Sequence, residues 1–561
     1  MTTKKLILAQ TSEELKFIIN KYKNNKNLFC VPLDLETQLY CLDKNINFFN
    51  PLNYIRSSFH RDSLIESEKM LKNISFAKDY KLSEITTIKA FLRFHFNSVI
   101  FLIELINKIL LKEKIEEIIV SGWHYYKDTY SRENYFVSYL AKSLFKEKTL
   151  VLNKIKKDKI RNQFYQYHIE INKPNTNNTI LFTNLGYNIF RIIKIFKKKY
   201  NDALILSPKI QSLSLAKKIL FKFFNVHFFD FKKIKSKKNF SVKLPNIRYN
   251  YKKKFNLTKI LNRRIKLEKW HIIQNRSKYF AISDFFLNYR PQLIVSNNSR
   301  DVDGQFLDSA KKKHIPLMCI PHGTISTYFN KYDKIYKNII ADSITYQGGN
   351  FISQSNISSL FYKKEKRKYK NIIRSGNLLF CEGKNLVKKN KKILYAVTSK
   401  DFQSIQYLGV EMYFEYLDNL SFLNKLAKKN DLKIFVKNHP TISMHTKSLQ
   451  KRFRYLFFTD EKIQKILSET SLTISFSSSV IEDSLYNYNP VILLDRWKRY
   501  KHCEAEIKPN LKNKSVYYIN NDKNLLKCIN TIFKSKTFNF DKYILERRSA
   551  TNIQNLFQKY F

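Results

Sequence analysis

Short apolar, β-branched runs recur along this chain, and amphipathic helical patterns separate many of them. This alternation predicts an α/β fold with parallel sheets, because parallel strands need a long crossover that is usually a helix. Ligands of such sheets bind beyond the carboxyl ends of the strands, so the loops there matter most. We predict helices at residues 85–111, 188–199, 304–313 and 414–429. The predicted strands are residues 5–8, 28–32, 117–120, 149–152, 179–183, 203–206, 293–296, 317–320, 393–397, 433–436, 472–475 and 491–494.

The chain has 561 residues, 43% of them hydrophobic and 15% aromatic, which predicts a packed core and excludes intrinsic disorder. Basic stretches at 361–371 and 385–392 mark a passage between two large lobes. We therefore predict three parts, with a helix from residue 542 that packs back on the first lobe. They are an N-terminal lobe 1–385 with an insertion near 232–269, a C-terminal lobe 386–540, and a C-terminal segment 541–561.

The charge balance is strongly basic, with 102 Lys and Arg against 46 Asp and Glu and a formal net charge of +56. Such a charge attracts polyanions, which include nucleic acid, an anionic membrane surface and acidic glycans. Compositional drift of A- and T-rich coding DNA is the other explanation, because lysine is spread throughout and not gathered into one stripe. A basic nucleic-acid-binding protein stays an alternative that charge alone supports.

The six cysteines are scattered, with no CxxC pair and no Cys/His cluster at metal spacing, which predicts a reducing compartment and no zinc. The N-terminus enters a predicted strand without the long apolar stretch of a signal peptide. The most apolar segment, 96–111, contains Glu104 and Lys108, which favours an amphipathic helix over a membrane span. We expect a cytoplasmic protein whose membrane contact is peripheral, at the inner face of the cytoplasmic membrane.

Two strand-end loops of the N-terminal lobe carry groups suited to proton transfer. Asp303 could act as a general base, or it could equally stabilise a helix N-terminus. In the second loop His322 could be a base or donate a hydrogen bond to a phosphate or sugar. Gly323, before Thr324, would let a ligand approach the backbone there. A lone histidine is more often structural, but its place after a strand favours function.

Two loops of the C-terminal lobe, one βα unit apart, are suited to a phosphate. Lys437 and His439 follow a predicted strand, and Pro440 fixes the turn after them. Such cations neutralise a departing phosphate without a metal ion. The next strand runs into hydroxyl groups that open a helix: Ser477, Ser478 and Ser479. Each loop alone is close to a structural role, such as helix capping. Their order at successive strand ends favours a nucleotide phosphate.

The Lys-x-His-Pro loop at 437–440 and the serine cluster at 477–479 resemble the donor-site motifs of bacterial GT-B transferases that use CMP-activated sugars. These include sialyltransferases and capsule Kdo transferases. The resemblance implies a GT-B fold with two Rossmann-like lobes and a cleft between them. It also implies that His439, Pro440 and the serines bind CMP. Asp303-Gly304 is similar to the acidic-Gly motif whose Asp is the base, although Val302 interrupts the acidic pair.

The chain is also similar to CDP-glycerol and CDP-ribitol phosphotransferases. The resemblance rests on His322-Gly323-Thr324, on the basic His-Pro loop and on the serine cluster, and it implies that His322 is the base. More distantly, 372–377 and 478–490 look like features of UDP-GlcNAc 2-epimerases. Together these resemblances cover roughly 290–500.

We therefore expect a metal-independent, inverting transfer of a sialic-acid- or Kdo-like sugar from a CMP-activated donor, with no cofactor. The acceptor, bound by the N-terminal lobe, is a surface or lipid-linked glycan of a bacterial capsule or another cell-envelope polysaccharide. Asp303 or His322 would take the proton from the acceptor hydroxyl. Glu482, with main-chain groups near Thr398 and Ser399, would hold the ribose and base in the C-terminal lobe.

Overall fold

The residues that the structure describes form three larger sheets, in which almost every pair of neighbouring strands is parallel. Helices lie between many of the consecutive strands, as the alternation in the sequence predicts. The computed structural model describes residues 3–22, 26–56, 58–121, 136–153, 165–171, 178–209, 215–235, 242–383, 390–399, 411–547 and 550–561.

The first sheet and its helices occupy residues 4–151. They are β1 (Lys4–Ala9), α1 (Ser12–Lys21), β2 (Leu28–Pro32), α2 (Leu35–Asp43), α3 (Phe59–Lys72), α4 (Leu82–Lys112), β3 (Ile115–Val120), α5 (Phe136–Leu144) and β4 (Thr149–Val151). The strands are parallel in the order β2-β1-β3-β4. Side-chain caps start the first helices, since Thr11 accepts from the N–H of Glu14 at 3.1 Å.

The region of the second sheet covers residues 165–374 and includes two small strand pairs. Its elements are β5 (Tyr165–Glu170), β6 (Thr179–Phe182), α6 (Tyr187–Lys199), β7 (Leu204–Pro208), α7 (Leu215–Phe223), β8 (Val226–Lys235), β9 (Asn250–Tyr251), β10 (Phe255–Asn256), α8 (Thr258–Asn288), β11 (Leu293–Ser296), α9 (Asp301–Lys312), β12 (Leu317–Cys319), α10 (Lys331–Ile344), β13 (Phe351–Ser353), α11 (Asn356–Glu365) and β14 (Ile372–Arg374). The order is β12-β11-β6-β7-β8-β5, and the edge strand β5 is antiparallel to β8. Strands β9 and β10, and β13 and β14, form two small separate pairs.

The third sheet begins at residue 392. Its elements, with the C-terminal helix, are β15 (Lys392–Ala396), α12 (Tyr413–Asn430), β16 (Lys433–Lys437), α13 (Thr446–Arg452), β17 (Leu456–Phe458), α14 (Ile463–Glu469), β18 (Leu472–Ser475), α15 (Val480–Tyr486), β19 (Val491–Leu494), β20 (Val516–Ile519), α16 (Asp522–Phe533) and α17 (Ala550–Phe557). The strands are parallel in the order β17-β16-β15-β18-β19-β20, which is the Rossmann order. Strands such as β19 are apolar at every position because both faces of the sheet are covered.

The second and third sheets confirm the predicted α/β class with parallel sheets, and each has a Rossmann-like strand order. Every predicted strand is present, with bounds that shift by at most two residues. The predicted helix from residue 542 starts too early, because α17 begins at Ala550. Before it the chain stays irregular, since Ile544 forms a β-bridge with Ser355 and the side chain of Asn356 holds the carbonyl of Ile544 at 2.8 Å.

The division into lobes stays a prediction, because its boundary near 385 lies outside the described residues. Within 1–385 the structure has two separate larger sheets. The segment 232–269 contains the end of β8, the β9–β10 pair and the first turns of α8. At the C-terminus, Phe557 of α17 packs on Phe196 of α6 with ring centroids 5.0 Å apart.

Helix α4 is the one helix in the described part of the chain that is long and apolar enough to cross a membrane by length and composition. In this structure 78% of its most apolar window is buried. Its interior carboxylate is satisfied, because Glu104 accepts from the hydroxyl of Tyr251 at 2.8 Å and from Lys252 Nζ at 2.6 Å. The helix therefore has the surroundings of a core helix, in agreement with the helix predicted there.

A buried carboxylate links the first sheet to the third. His60 Nε2 lies 2.6 Å from Glu415 Oε1, and the guanidinium of Arg499 contacts the other carboxylate oxygen. Burial, with the nearby guanidinium, holds the pKa of His60 well below its usual value, so the neutral ring donates to Glu415. Beside this cluster Phe101 stacks on Phe414 with centroids 6.0 Å apart. Helices α3, α4 and α12 are thereby held together.

We expect Glu415→Ala to lower the free energy of unfolding by about 3–5 kcal/mol, because the buried Arg499 loses its carboxylate partner. Urea titration followed by circular dichroism measures the change. The matched control is Glu461→Ala, which removes an exposed pair with Lys465 at 2.7 Å and should change stability little. Equal losses in the two variants would show that the buried cluster does not link the sheets.

Candidate active site

The first candidate crevice lies at the carboxyl edge of the second sheet, between β6 and β11. From β6 the chain leads to β7 on one side of the sheet, and from β11 it leads to β12 on the other side. This divergence opens a gap beyond the ends of β6 and β11. Asn184 follows β6 and Asn297 follows β11. Asn184 Nδ2 donates to Asn297 Oδ1 at 2.8 Å and to Asp303 Oδ2 at 3.0 Å. The predicted base Asp303 is thus fixed at the edge of this crevice.

Asp303 lies in the first turn of α9, where a carboxylate is favourable. Burial raises the pKa of Asp303 to about 6, although hydrogen bonds from Thr183 and Asn184 act in the opposite direction. A carboxylate with this pKa is ionised at neutral pH and still accepts a proton readily, which suits a general base. Both interpretations left open by the sequence, helix stabilisation and proton transfer, are compatible with this position.

Gly304, the second residue of the Asp-Gly pair, is required by packing. A Cβ atom there would lie 2.3 Å from the carbonyl oxygen of Ser299 and 2.6 Å from Cβ of Ser83 on α4. Helix α9 can therefore approach α4 this closely only with a glycine. The Asp303-Gly304 pair combines a site carboxylate with a structural glycine.

His322 joins the same network from the loop after β12. Its ring is exposed, and Nδ1 lies 2.6 Å from the carbonyl oxygen of Asn297. A carbonyl only accepts, so Nδ1 carries the hydrogen and Nε2 carries the lone pair of the neutral ring. Asn297 therefore contacts His322 directly and is linked to Asp303 by the side chain of Asn184. Next to it, Gly323 leaves room, because a Cβ atom there would meet only Ile344 at 3.8 Å.

The second candidate crevice lies at the carboxyl edge of the third sheet, where the strand order reverses between β15 and β18. Strand β16 lies on the other side of β15, so three neighbouring strands end here. The prediction that the loops after β16 and β18 are one βα unit apart is wrong, because β17 lies between these strands in the chain. The loops after them contain the predicted donor-binding groups: Thr398, Ser399, Lys437, His439, Pro440, Ser477, Ser478 and Ser479. The sequence places these groups far apart, and the sheet brings their loops to one edge.

The loop after β16 is held by its neighbours. Lys437 is half-buried, and burial lowers the pKa of its ammonium group. Asn438 accepts from the hydroxyl of Tyr416 at 2.7 Å. The carbonyl of His439 accepts from the N–H of Ile442 at 2.8 Å, where the exposed Pro440 starts a short 3₁₀ turn. A rigid backbone thus presents Lys437 and His439 at the sheet edge.

The loop after β15 is engaged within the lobe. The backbone N–H and the hydroxyl of Thr398 both donate to Glu411 Oε2 at 3.0 Å, and Ser399 is buried. The predicted contact of this loop with ribose and base stays a prediction. In this structure Glu411 occupies those groups of Thr398.

Ser477 is oriented by two side chains from the loop after β19. The hydroxyl of Tyr500 donates to Ser477 Oγ at 2.8 Å, and Ser477 Oγ lies 3.2 Å from His502 Nδ1. Burial lowers the pKa of His502, so its neutral ring can accept from the serine. Ser478 Oγ accepts from the N–H of Val480, the first residue of α15, at 3.2 Å. Ser479 is exposed.

Thr324 and Glu482 connect the two crevices. Thr324 Oγ1 donates to Glu482 Oε2 at 2.5 Å, and His502 Nε2 lies 3.6 Å from the same oxygen. Glu482 is 1% exposed, so its carboxylate is enclosed between the lobes and not open to a ribose in this structure. Beside it, Gly323 and Gln354 line a cavity of about 10 Å³, which is room for one water molecule.

Several site residues escaped sequence analysis. Asn184 and Asn297 follow strands, so the strand-end rule that found Asp303 could have identified them. Lys337, in the middle of α10, carries no such signal. It is buried and donates to Ser326 Oγ and to the carbonyl of His502 at 3.2 Å. Burial lowers the pKa of Lys337 to about 8.

No protein-family model and no curated protein matches this chain. Solved structures with distant likeness include UDP-GlcNAc 2-epimerase from Methanocaldococcus jannaschii in complex with UDP-GlcNAc and UDP, at 13% identity and TM-score 0.37 over 68% of this chain and 98% of that chain. A UDP-N-acetylglucosamine 2-epimerase from Listeria monocytogenes, itself described as putative, has 9% identity and TM-score 0.37 over 65% and 90%. A UDP-glucosyltransferase from Polygonum tinctorium has 9% identity and TM-score 0.30 over 59% and 82%. Likeness at these scores assigns no activity to this chain.

We expect Asp303→Asn to raise the melting temperature near neutral pH. The pKa of Asp303 is about 6 in the folded protein against an ordinary 3.8, so the folded state binds the proton more tightly. The contribution of this carboxyl to stability therefore falls as pH rises from about 4 through about 6, and asparagine removes the loss. Thermal melting at about pH 7.5 and about pH 4.5 should show a gain that shrinks at the lower pH.

The matched control for this measurement is Asp284→Asn, which changes an exposed carboxylate on α8. It should leave the melting temperature unchanged at both pH values. A gain for Asp303→Asn that is independent of pH would contradict burial of the carboxyl group as its cause.

Proposed function

We propose that this chain is a GT-B glycosyltransferase that moves a sialic-acid- or Kdo-like sugar from a CMP-activated donor to a surface or lipid-linked glycan. The reaction is inverting and independent of metal ions and cofactors. The enzyme works in the cytoplasm, at the inner face of the membrane, in bacterial capsule or cell-envelope synthesis. Residues of the second sheet act on the acceptor, and residues of the third sheet hold the donor.

The hydrogen bond from Thr324 to Glu482 carries this proposal. It joins a strand-end loop of the second sheet to the helix that follows the serine loop of the third sheet. In the proposed arrangement a proton acceptor, Asp303 or His322, faces the loops that contain Lys437, His439 and Ser477. A transferase needs this opposition, because the acceptor hydroxyl and the donor phosphate lie on opposite sides of the anomeric carbon.

The proposed step is a direct displacement. Asp303 or His322 takes the proton of the acceptor hydroxyl as its oxygen bonds to the anomeric carbon, and the bond from that carbon to the CMP phosphate oxygen breaks. Lys437, His439 and the serine hydroxyls stabilise the negative charge on the departing CMP. The resemblance of this loop pair to CMP-sugar transferases supports cytidine as the base.

A second candidate function is transfer of an alditol phosphate from a CDP-activated donor. The hydrogen bond between His322 Nδ1 and the Asn297 carbonyl favours it, because the bond fixes the tautomer that a histidine base requires. In this reaction the acceptor oxygen bonds to phosphorus, and CMP again leaves. Both candidate reactions release CMP, so they are distinguished by the residue that acts as the catalytic base, Asp303 or His322.

The first experiment is a nucleotide panel. CMP should raise the melting temperature in the presence of EDTA, and Lys437→Ala or His439→Ala should abolish the shift by removing a cation beside the phosphate. Lys433→Ala is the matched control, because Lys433 starts the same strand β16 at the opposite edge. Stabilisation by UDP and not by CMP would reject the cytidine assignment.

The second experiment measures release of CMP from CMP-sialic acid and from CDP-glycerol. If Asp303 is the glycosyl-transfer base, Asp303→Ala should slow release from CMP-sialic acid by about 10²–10⁴-fold, and His322→Ala should slow it much less. The opposite ranking, with CDP-glycerol as the better donor, would establish the alditol-phosphate reaction instead. Under either candidate, Lys437→Ala should abolish release from the donor that the enzyme uses, and Lys433→Ala should not.

A further inference from the structure

The outer side of α7 carries an uncovered apolar stripe. Phe223 is 81% exposed, Ile219 64% and Leu220 38%. On a helix these positions fall within about 100° of one another, so they share one side. The opposite side is packed, because Phe221 is buried and contacts Phe190 of α6 with ring centroids 5.5 Å apart. The helix is therefore fixed with the stripe outward. We name Ile219, Leu220 and Phe223 the α7 stripe.

The surroundings of the α7 stripe are strongly basic. From Gly186 to Asn225 the sequence contains a single acidic residue, Asp202. Exposed lysines flank the stripe: Lys222 is on α7 itself, and Lys194 on α6 lies one turn after Phe190, the ring that contacts α7. Two features thus coincide, large exposed apolar side chains and a one-sided positive charge.

We propose that the α7 stripe docks on an anionic lipid membrane. Phe223 and Ile219 enter the boundary between headgroups and acyl chains, and Lys194 and Lys222 contact lipid phosphates. Interfacial helices have this composition, with apolar residues on one face and lysines beside it. A protein partner fits less well, because a stable interface covers about 800 Å² on each side and the α7 stripe spans little more than one helical turn.

The position of the α7 stripe gives this docking a consequence that rests on the proposed function. Phe190, six residues after Asn184, contacts Phe224 next to the stripe with ring centroids 5.8 Å apart. The docking surface is therefore adjacent to the helix that starts at the first crevice. An acceptor anchored in the same membrane would reach that crevice from its lipid side.

Vesicle co-sedimentation of the full chain tests the docking without any enzymatic assay. The probe is vesicles of phosphatidylglycerol and phosphatidylcholine in equal parts, with phosphatidylcholine alone as the neutral comparison. The chain should bind the anionic vesicles. The double variant Ile219→Ser/Phe223→Ser should bind at least about tenfold more weakly, since it lacks the two apolar side chains that enter the membrane. Circular dichroism and thermal melting verify that the variant is folded.

The matched control is Leu287→Ser. Leu287 is 67% exposed on α8, which packs on the opposite face of the second sheet, so its loss should not change vesicle binding. If the double variant and the control bind within about twofold of each other, generic charge attraction explains the binding and the proposal is overturned. Failure of the unsubstituted chain to bind anionic vesicles overturns it as well, and then favours a protein partner.

Tryptophan quenching gives a second, independent measurement. Phe223→Trp should be quenched by lipids brominated on their acyl chains, because the indole lies at the acyl boundary, and Leu287→Trp should not be quenched. Absence of quenching for Phe223→Trp on bound protein would overturn the proposed orientation. Neither measurement involves a nucleotide, so failure of docking is distinguishable from failure of the transferase proposal.

Discussion

Parallel strands all finish at the same edge of their sheet, and this constraint places most candidate residues of the site. Beside the central strands β6 and β15 the direction of winding reverses, so each edge opens a crevice there. Asn184 and Asn297 meet at one crevice, and the loops of Lys437 and Ser477 end at the other. The hydrogen bond from Thr324 to Glu482 then joins the two edges. A reaction that needs groups from both sheets depends on this contact between their carboxyl edges.

Buried polar links hold the sheets in that relation. Glu415 lies between His60 and Arg499, and Glu482 lies between Thr324 and His502. Charges enclosed in this way are stable only with their partners, so the lobes cannot slide without exposing or orphaning them. The same links bear on the donor. A ribose that bound Glu482 would replace Thr324 as its hydrogen-bond partner, so donor binding at this residue would be coupled to the contact between the loops.

Much of the fold could be predicted, but less of the site. The apolar runs of β11, β18 and β19 are buried on both faces, and such runs are visible in sequence. Strand β8 was not predicted, because its second half is rich in lysine, whereas the three-residue β12 was predicted. In the site, the Asp303 and His322 loops were found by the strand-end rule. Lys337 was missed because its partner His502 is 165 positions away in the chain and no local pattern indicates the contact.

The sequence by itself determined the alternation of strands and helices, the loops that end the strands, and a basic surface. Tertiary structure decided which of those loops meet, because strand order follows from packing and not from periodicity. Tertiary structure also decided the properties of single residues. Burial raises the pKa of Asp303 to about 6, and Glu482 accepts a hydrogen bond from Thr324 of the second sheet. Gly304 allows α9 to pack closely on α4. Burial and long-range contact set these properties, and both depend on residues far away in the chain.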